Sequence, residues 1–320
     1  MLQALADHPQ CIIIKSSKEY AGNHLGITMK SLATLLLLFL FPVQLYADEQ
    51  IKPEAEDKTS ALDNRIRIER QTRYQSFVLT PHKPNYILPF TYNDNPNPAP
   101  LDVDGNETDR VEIKFQFSLK FPIIENIFGK RGSIQFAYSN LSFWQAYNDK
   151  ASYPFRETVH EPEIFFIFEN DWRFLGMDNR LVQFGVVHQS NGQSADRSRT
   201  WNRFYIDLIF QRGDFYLSFK PWYHIEQAGS AKTDNPDIDQ FYGHSELRMA
   251  YAGHTHTASI MFRNYFENPD YGAVELNWSF PMTRRVKWFI QYFNGYGESL
   301  IDYNTRVNRL GMGVAFTDWL

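Results

Sequence analysis

A histidine and a serine lie two residues apart in Val187-His188-Gln189-Ser190-Asn191-Gly192, and a second block, Ser198-Arg199-Thr200-Trp201-Asn202-Arg203, follows closely. A serine hydroxyl is a weak nucleophile until a neighbouring imidazole takes its proton, and the imidazole needs a third group to fix its tautomer. Residues i and i+2 of a strand share a face, so His188 and Ser190 project together. If the chain returns antiparallel with positions 190 and 200 opposed, Asn202 lies directly opposite His188, where cross-strand Cβ atoms are about 4.5–5.5 Å apart. Nucleophile, base and orienting amide then occupy one face of one hairpin. A lone His-x-Ser usually only decorates a strand; the asparagine at the matching offset sets this one apart.

Such a hairpin needs a sheet to hold it, and composition narrows the choice. The 320 residues carry 32 Lys plus Arg against 37 Asp plus Glu, a net charge of −5 that argues against a nucleic-acid partner. Aromatics are abundant, with 27 Phe, 18 Tyr and 7 Trp, yet long apolar runs are scarce. A membrane β-barrel has this character, because its strands alternate apolar-out with polar-in; a soluble β-sandwich would tolerate it too.

Only Leu35 to Val43 forms a long apolar run, preceded by Met29-Lys30 and followed by Ala47-Asp48. A basic start, a short apolar stretch and a small residue before a polar mature end read as a signal peptide over 29–47. The run falls short of the roughly 20 residues a spanning helix needs. Residues 1–28 lack these features and read as a misassigned extension, with Met29 as the start. Cys11, the single cysteine, would be absent from the mature chain, which excludes thiol chemistry.

Residues 48–84 form a leader whose charged part, 48–75, reads as extended or shortly helical on a barrel rim. After it, period-two alternation predicts twelve strands, near 85–93, 111–122, 133–147, 162–174, 181–190, 201–212, 215–226, 241–252, 255–266, 271–280, 285–296 and 305–318. Their connections alternate between tight, as at Gly213-Asp214, Ala252-Gly253 and Pro281 to Arg284, and long, as at 94–109, 148–161, 191–200 and 227–240. An even strand count with short turns on one side and long loops on the other is the pattern of a single-chain outer-membrane barrel. The fold class is therefore all-β, a 12-stranded antiparallel transmembrane outer-membrane β-barrel over 85–320.

Alternation also fixes facing. Val182, Phe184, Val186, His188 and Ser190 share one face, and Asn202, Phe204, Ile206, Leu208 and Phe210 share the matching face of the partner strand. That apolar face must meet lipid, which places the polar trio outside the barrel near its upper rim. Polar groups on a lipid-facing wall are costly and call for a reason; chemistry on a lipid supplies one.

Further blocks extend the pattern: Pro154-Phe155-Arg156-Glu157-Thr158 with Glu161-Pro162, Lys220-Pro221-Trp222-Tyr223, Asp234-Asn235-Pro236-Asp237-Ile238, and Tyr296-Gly297-Glu298-Ser299-Leu300-Ile301-Asp302-Tyr303-Asn304. With His188 through Arg203 they span most of the mature chain, which resembles the outer-membrane phospholipase A family of dimeric, calcium-dependent lipolytic barrels of Gram-negative bacteria. The resemblance implies Ser190 as nucleophile, His188 as general base and Asn202 as the group that orients the imidazole. It implies Ca²⁺ for the oxyanion, held by the Gln193 carbonyl and the Ser198 hydroxyl, with Ser152 supplied by the second subunit of a homodimer. Asp234 matches a further ligand. It also implies a glycerophospholipid substrate, A1/A2 and lysophospholipase-type activity switched on by dimerisation, and residence in the outer membrane after export.

This chain departs from the family pattern at one point. An aspartate is expected directly after Ser194, but Ala195 stands there and the acid comes next, as Asp196. The hairpin length from His188 to Asn202 is unchanged, so the departure touches calcium rather than the triad. Asn140 matches a membrane-embedded polar residue of the dimer interface, or equally an amide serving a loop at the rim. The chain ends on Leu320 rather than an aromatic, leaving Phe316 or Trp319 for insertion. Two competing readings remain: a passive porin with Gln183, Arg203, Tyr205, Asp207 and Gln211 filling its lumen, and another barrel lipid acyl hydrolase or acyltransferase.

Overall fold

The computed structural model describes residues 60–318 apart from 73–74, 76–77, 99–106, 128–130, 152, 226–233 and 254. The expected extension 1–28, the signal 29–47, the leader up to residue 59, Ser152 and Trp319 lie outside the described residues.

Twelve long strands build one closed antiparallel sheet. They are β1 (Asn85–Asn93), β2 (Val111–Ile127), β3 (Gly132–Trp144), β4 (Phe155–Glu169), β5 (Met177–Ser190) and β6 (Thr200–Arg212), then β7 (Phe215–His224), β8 (Ser245–Ala252), β9 (Thr257–Arg263), β10 (Ala273–Pro281), β11 (Lys287–Gly295) and β12 (Val307–Thr317). Each pairs with its successor, and β12 returns to β1 through Leu310↔Tyr92 and its neighbours, so no sheet edge is left to satisfy in lipid. Two-residue strands add Thr80–Pro81 to β2 and Arg173–Phe174 to β5.

The strand count agrees with the alternation; several ends do not. β4 starts at Phe155 rather than near 162, and β2 runs on to Ile127 with register shifts on both sides of Ile124. β8 starts at Ser245, because Ile238–Tyr242 coil into a short helix, α2, that buries Ile238, Phe241 and Tyr242. Those apolar residues fall at i, i+3 and i+4, a helical rather than a two-residue period.

Along the hairpin the facing is unambiguous. Phe184, Val186, Phe204 and Ile206 are 40–49 % exposed, whereas Val187, Trp201 and Tyr205 are buried inside. The lumen holds a charged lattice. Glu112 accepts two hydrogen bonds from Arg156, of 3.0 and 2.9 Å, and forms an ion pair with Arg309 at 2.8 Å. Glu298 joins Arg309 and Lys114, both at 2.8 Å, and Arg156 continues to Asp302 at 2.7 Å. Burying these charges is costly unless each meets an opposite charge. Beside the lattice the barrel keeps a cavity of about 330 Å³, lined by residues from Leu62 and Lys120 to Trp201 and Glu298.

Within the leader the chain takes the helical of the two expected forms. Residues Ala61–Thr72 form a 12-residue helix, here numbered α1 since it precedes α2 in the chain, started by Ser60, whose Oγ accepts the Asp63 amide at 3.1 Å. It does not lie along a rim: Leu62 is 4 % exposed and packs in one cluster with Leu181, Tyr216 and the partly buried Ile66. Asp63 pairs with Arg180, Arg70 with Glu169, and Glu69 with Lys120 at 3.1 Å. Its apolar stripe thus enters the barrel mouth on the short-turn side while its charged flank ties it to the wall.

Candidate active site

β5 and β6 pair with Ser190 opposite Thr200 and His188 opposite Asn202. The His188 Nδ1 and Asn202 Oδ1 atoms are 2.7 Å apart. An amide oxygen can only accept, so this bond places the imidazole proton on Nδ1 and leaves Nε2 free as a base. Among the described residues the Ser190 hydroxyl has no hydrogen-bond partner. It stands two residues further on the same outward face, half-buried like His188 and Asn202. Imidazole and orienting amide are in contact, beside a free hydroxyl.

Why the hairpin stays in register is visible in the connection that follows. Asn191, 4 % exposed, donates Nδ2 to the Arg197 carbonyl at 2.8 Å and to Glu157 at 3.2 Å. Its Oδ1 accepts the amides of Arg199 at 3.0 Å and Gln193 at 3.3 Å. Asn235 accepts the Thr200 amide at 3.0 Å, and Glu157 accepts the Ile301 amide at 3.0 Å. Tyr303 donates to Asp237 at 2.6 Å; burial and that carboxylate push its hydroxyl up to about 12, so it remains a donor. The three sequence blocks 154–162, 234–238 and 296–304 therefore converge on one loop, the one that carries the hairpin turn. Sequence reasoning named these blocks without assigning this clamp. The signal for Asn191 was its place before Gly192, whose φ is +63°, in a turn-forming pair.

Of the expected metal ligands, the fold brings Ser198 and Asp234 together, Oγ to Oδ2 at 2.6 Å. Gln193 lies in the same loop, half-buried. Ser152 lies outside the described residues. Asp196 sits exposed in a single 3-10 turn, Ala195–Arg197, where its carbonyl accepts Arg199 at 2.8 Å. Hydroxyl, carbonyl and one carboxylate are an oxygen-only donor set, and no cluster of three or more His, Cys, Asp or Glu accompanies it among the described residues. That chemistry fits a hard cation such as Ca²⁺ that retains water ligands.

Asn140 lies on β3 opposite His160 of β4, and its Oδ1 accepts Ser142 at 3.1 Å. His160 is in turn the cross-strand partner of Ser190.

Comparison with known proteins is consistent along the whole barrel. The sequence pattern of the family described as Phospholipase A1 matches residues 62–316. Phospholipase A1 of Escherichia coli K12 is 37 % identical over 286 residues, covering 89 % of this chain and 97 % of that protein. The Klebsiella pneumoniae phospholipase A1 is 36 % identical over 289 residues, covering 90 % and 98 %. Among solved structures, outer membrane phospholipase A from Escherichia coli superposes with a TM-score of 0.71 at 35 % identity, over 77 % of this chain and 95 % of that one. The Salmonella typhi outer membrane phospholipase dimer with bound calcium gives 0.71 at 36 % identity, over 77 % and 94 %. The chain therefore belongs to the phospholipase A1 family.

Proposed function

We propose that this outer-membrane phospholipase cleaves the acyl esters of glycerophospholipids with Ser190 as nucleophile, His188 as general base and Asn202 as the group that orients the imidazole. The observation that carries this reading is the 2.7 Å contact between His188 and Asn202 on the lipid-facing side of the hairpin that ends in Ser190. His188 accepts the Ser190 proton as Oγ adds to the ester carbonyl, then delivers it to the departing lysolipid oxygen. A water deprotonated by the same imidazole releases the fatty acid and restores the serine.

Ser198, Asp234 and the Gln193 carbonyl would hold Ca²⁺, and Ser152 of a second copy completes the set in an active homodimer. Bound there, the ion would supply positive charge for the tetrahedral oxyanion. The solved Salmonella typhi relative, a dimer with bound calcium, supports both points. A signal peptide over 29–47 accounts for export.

The test is fatty-acid release from phospholipid–detergent micelles by the refolded 48–320 chain, with Ca²⁺ or with EDTA, beside Ser190→Ala. Release that requires both the ion and the serine is the expected result. Release by Ser190→Ala, or equal release in EDTA, would overturn the corresponding part of the mechanism.

A further inference from the structure

His160 belongs to no part of the triad or cation site, yet it is the residue across the strand pair from Ser190 on the side away from Asn202. Its Nδ1 is 2.6 Å from the Tyr138 hydroxyl, one strand further on. The Tyr138 hydroxyl can donate to Nδ1, and in that tautomer the proton sits on Nε2 and the free edge of the ring is a hydrogen-bond donor. That edge lies over the turn: a Cβ placed on Gly192 would be 3.9 Å from His160 Cδ2 and 4.0 Å from Nε2. Among the described residues Nε2 has no protein partner.

The wall around it is graded. On the short-turn side of Ser190 the outward residues are Val186 and Phe184 on β5, Ile164 on β4 and Phe204 and Ile206 on β6, all 40–49 % exposed. On the loop side stand Thr158, His160, Ser190 and Thr200, and the exposed Phe155, stacked on Trp144, begins only beyond Thr158. A lipid whose ester carbonyl reaches Ser190 must lay its acyl chain along the apolar strip. Its phosphodiester then falls on the polar side, where the His160 edge meets it.

We propose that His160, held by Tyr138, is a specificity-determining residue that donates from Nε2 to the phosphodiester of the bound lipid. This rests on the phospholipase reading above and adds to it the atom that distinguishes a phospholipid from an uncharged ester. Tyr138 is a positioning residue: it fixes the tautomer and keeps the ring over Gly192.

The experiment compares two substrates in the same micelles, a diacyl phosphatidyl lipid and a diacylglycerol with the same chains. Wild type, His160→Phe, His160→Gln and Tyr138→Phe are assayed as calcium-replete dimers. In His160→Phe, kcat/KM on the phospholipid should fall about tenfold, which is 1.36 kcal/mol or about one hydrogen bond, with diacylglycerol hydrolysis unchanged. His160→Gln, whose amide places a donor near the former Nε2, should recover part of the loss, and Tyr138→Phe should lose less than His160→Phe. Equal loss on both substrates would show a merely structural role, and no loss on either would show no contact; both overturn the proposal. If wild type hydrolyses neither substrate, the phospholipase reading fails first and His160 falls with it. If wild type is active and Ser190-dependent, failure of the substrate split removes His160 alone.

Discussion

A carboxylate beside the imidazole would stabilise the imidazolium more strongly than the amide of Asn202 does, but this face of the barrel borders lipid. An ionised aspartate there must be desolvated, at a cost of about 2.5–3.5 kcal/mol on insertion scales for the bilayer centre and less near the rim. An amide orients the ring at 2.7 Å without that charge. Its contribution is therefore orientation alone, and Asn202→Ala should lower kcat about tenfold while Ser190→Ala falls to background, a loss of at least about 10³-fold. Both are read from single-substrate kinetics at saturating Ca²⁺; an unchanged kcat in Asn202→Ala would show that packing alone holds the imidazole. Asp234 is the one carboxylate in the expected cation set and touches Ser198 at 2.6 Å. Asp234→Asn should raise the Ca²⁺ concentration needed for half-maximal activity about tenfold or more without changing the maximum, since hard cations favour charged oxygen. A Ca²⁺ titration of activity checks this, and coincident curves would remove Asp234 from the site.

Between residue and barrel stand the loops, and the hairpin turn depends on Asn191 more than on any group that does chemistry. Four side-chain bonds to Glu157, Arg197, Gln193 and Arg199 converge on it. Asn191→Ala should leave the barrel's melting point nearly unchanged, because the loop lies above the sheet. It should also raise the Ca²⁺ requirement, since Gln193 and Ser198 flank the loosened segment; each lost bond is worth about 0.5–1.5 kcal/mol locally. Circular-dichroism melting alongside the Ca²⁺ titration separates the two effects, and a large melting shift would mean the loop braces the barrel. At this scale the sequence was legible where one face met lipid and the other the lumen, as along β5 and β6. It was not legible where both faces are polar. β4 begins at Phe155, but its inward Arg156, Glu157 and Glu161 serve the lumen and the loop clamp, so alternation vanished and the segment read as loop. The triad spacing could be read because it follows from strand period and hairpin length; the clamp joins separate blocks as far as 144 residues apart in the chain, which no local pattern displays.

For the molecule as a whole, a lattice of paired charges in the lumen stands beside an apolar cluster that includes Phe165, Trp201 and Tyr205. Arg156 links Glu112 to Asp302. Arg156→Met would leave the Asp302 carboxylate with only the neutral donors Ser299 and Asn97, and Glu112 with Arg309 and Gln145, at a cost of about 3 kcal/mol. That is expected as a lower urea midpoint for the heat-modifiable band of the refolded barrel, and an unchanged midpoint would mean water replaces the guanidinium. Helix α1 closes the opposite mouth through two kinds of contact with different responses to pH. Leu62 and Ile66 pack against the wall regardless of pH, whereas Glu69 does so only as a carboxylate. Burial opposes its ionisation, but Lys120 at 3.1 Å and Arg65 at 3.0 Å outweigh that and hold its carboxyl below the ordinary value. A depressed pKa in the docked state means the contribution is present in full above the ordinary carboxylate range and is lost as pH falls through the docked value. A spin label at Ile68→Cys, on the exposed side of the helix, should therefore report an immobile helix at neutral pH and a mobile one in acid. Adding Glu69→Gln should bring that mobility up to neutral pH. A label that stays immobile in acid and in Glu69→Gln alike would show that the apolar stripe of Leu62 and Ile66 suffices to keep the mouth closed.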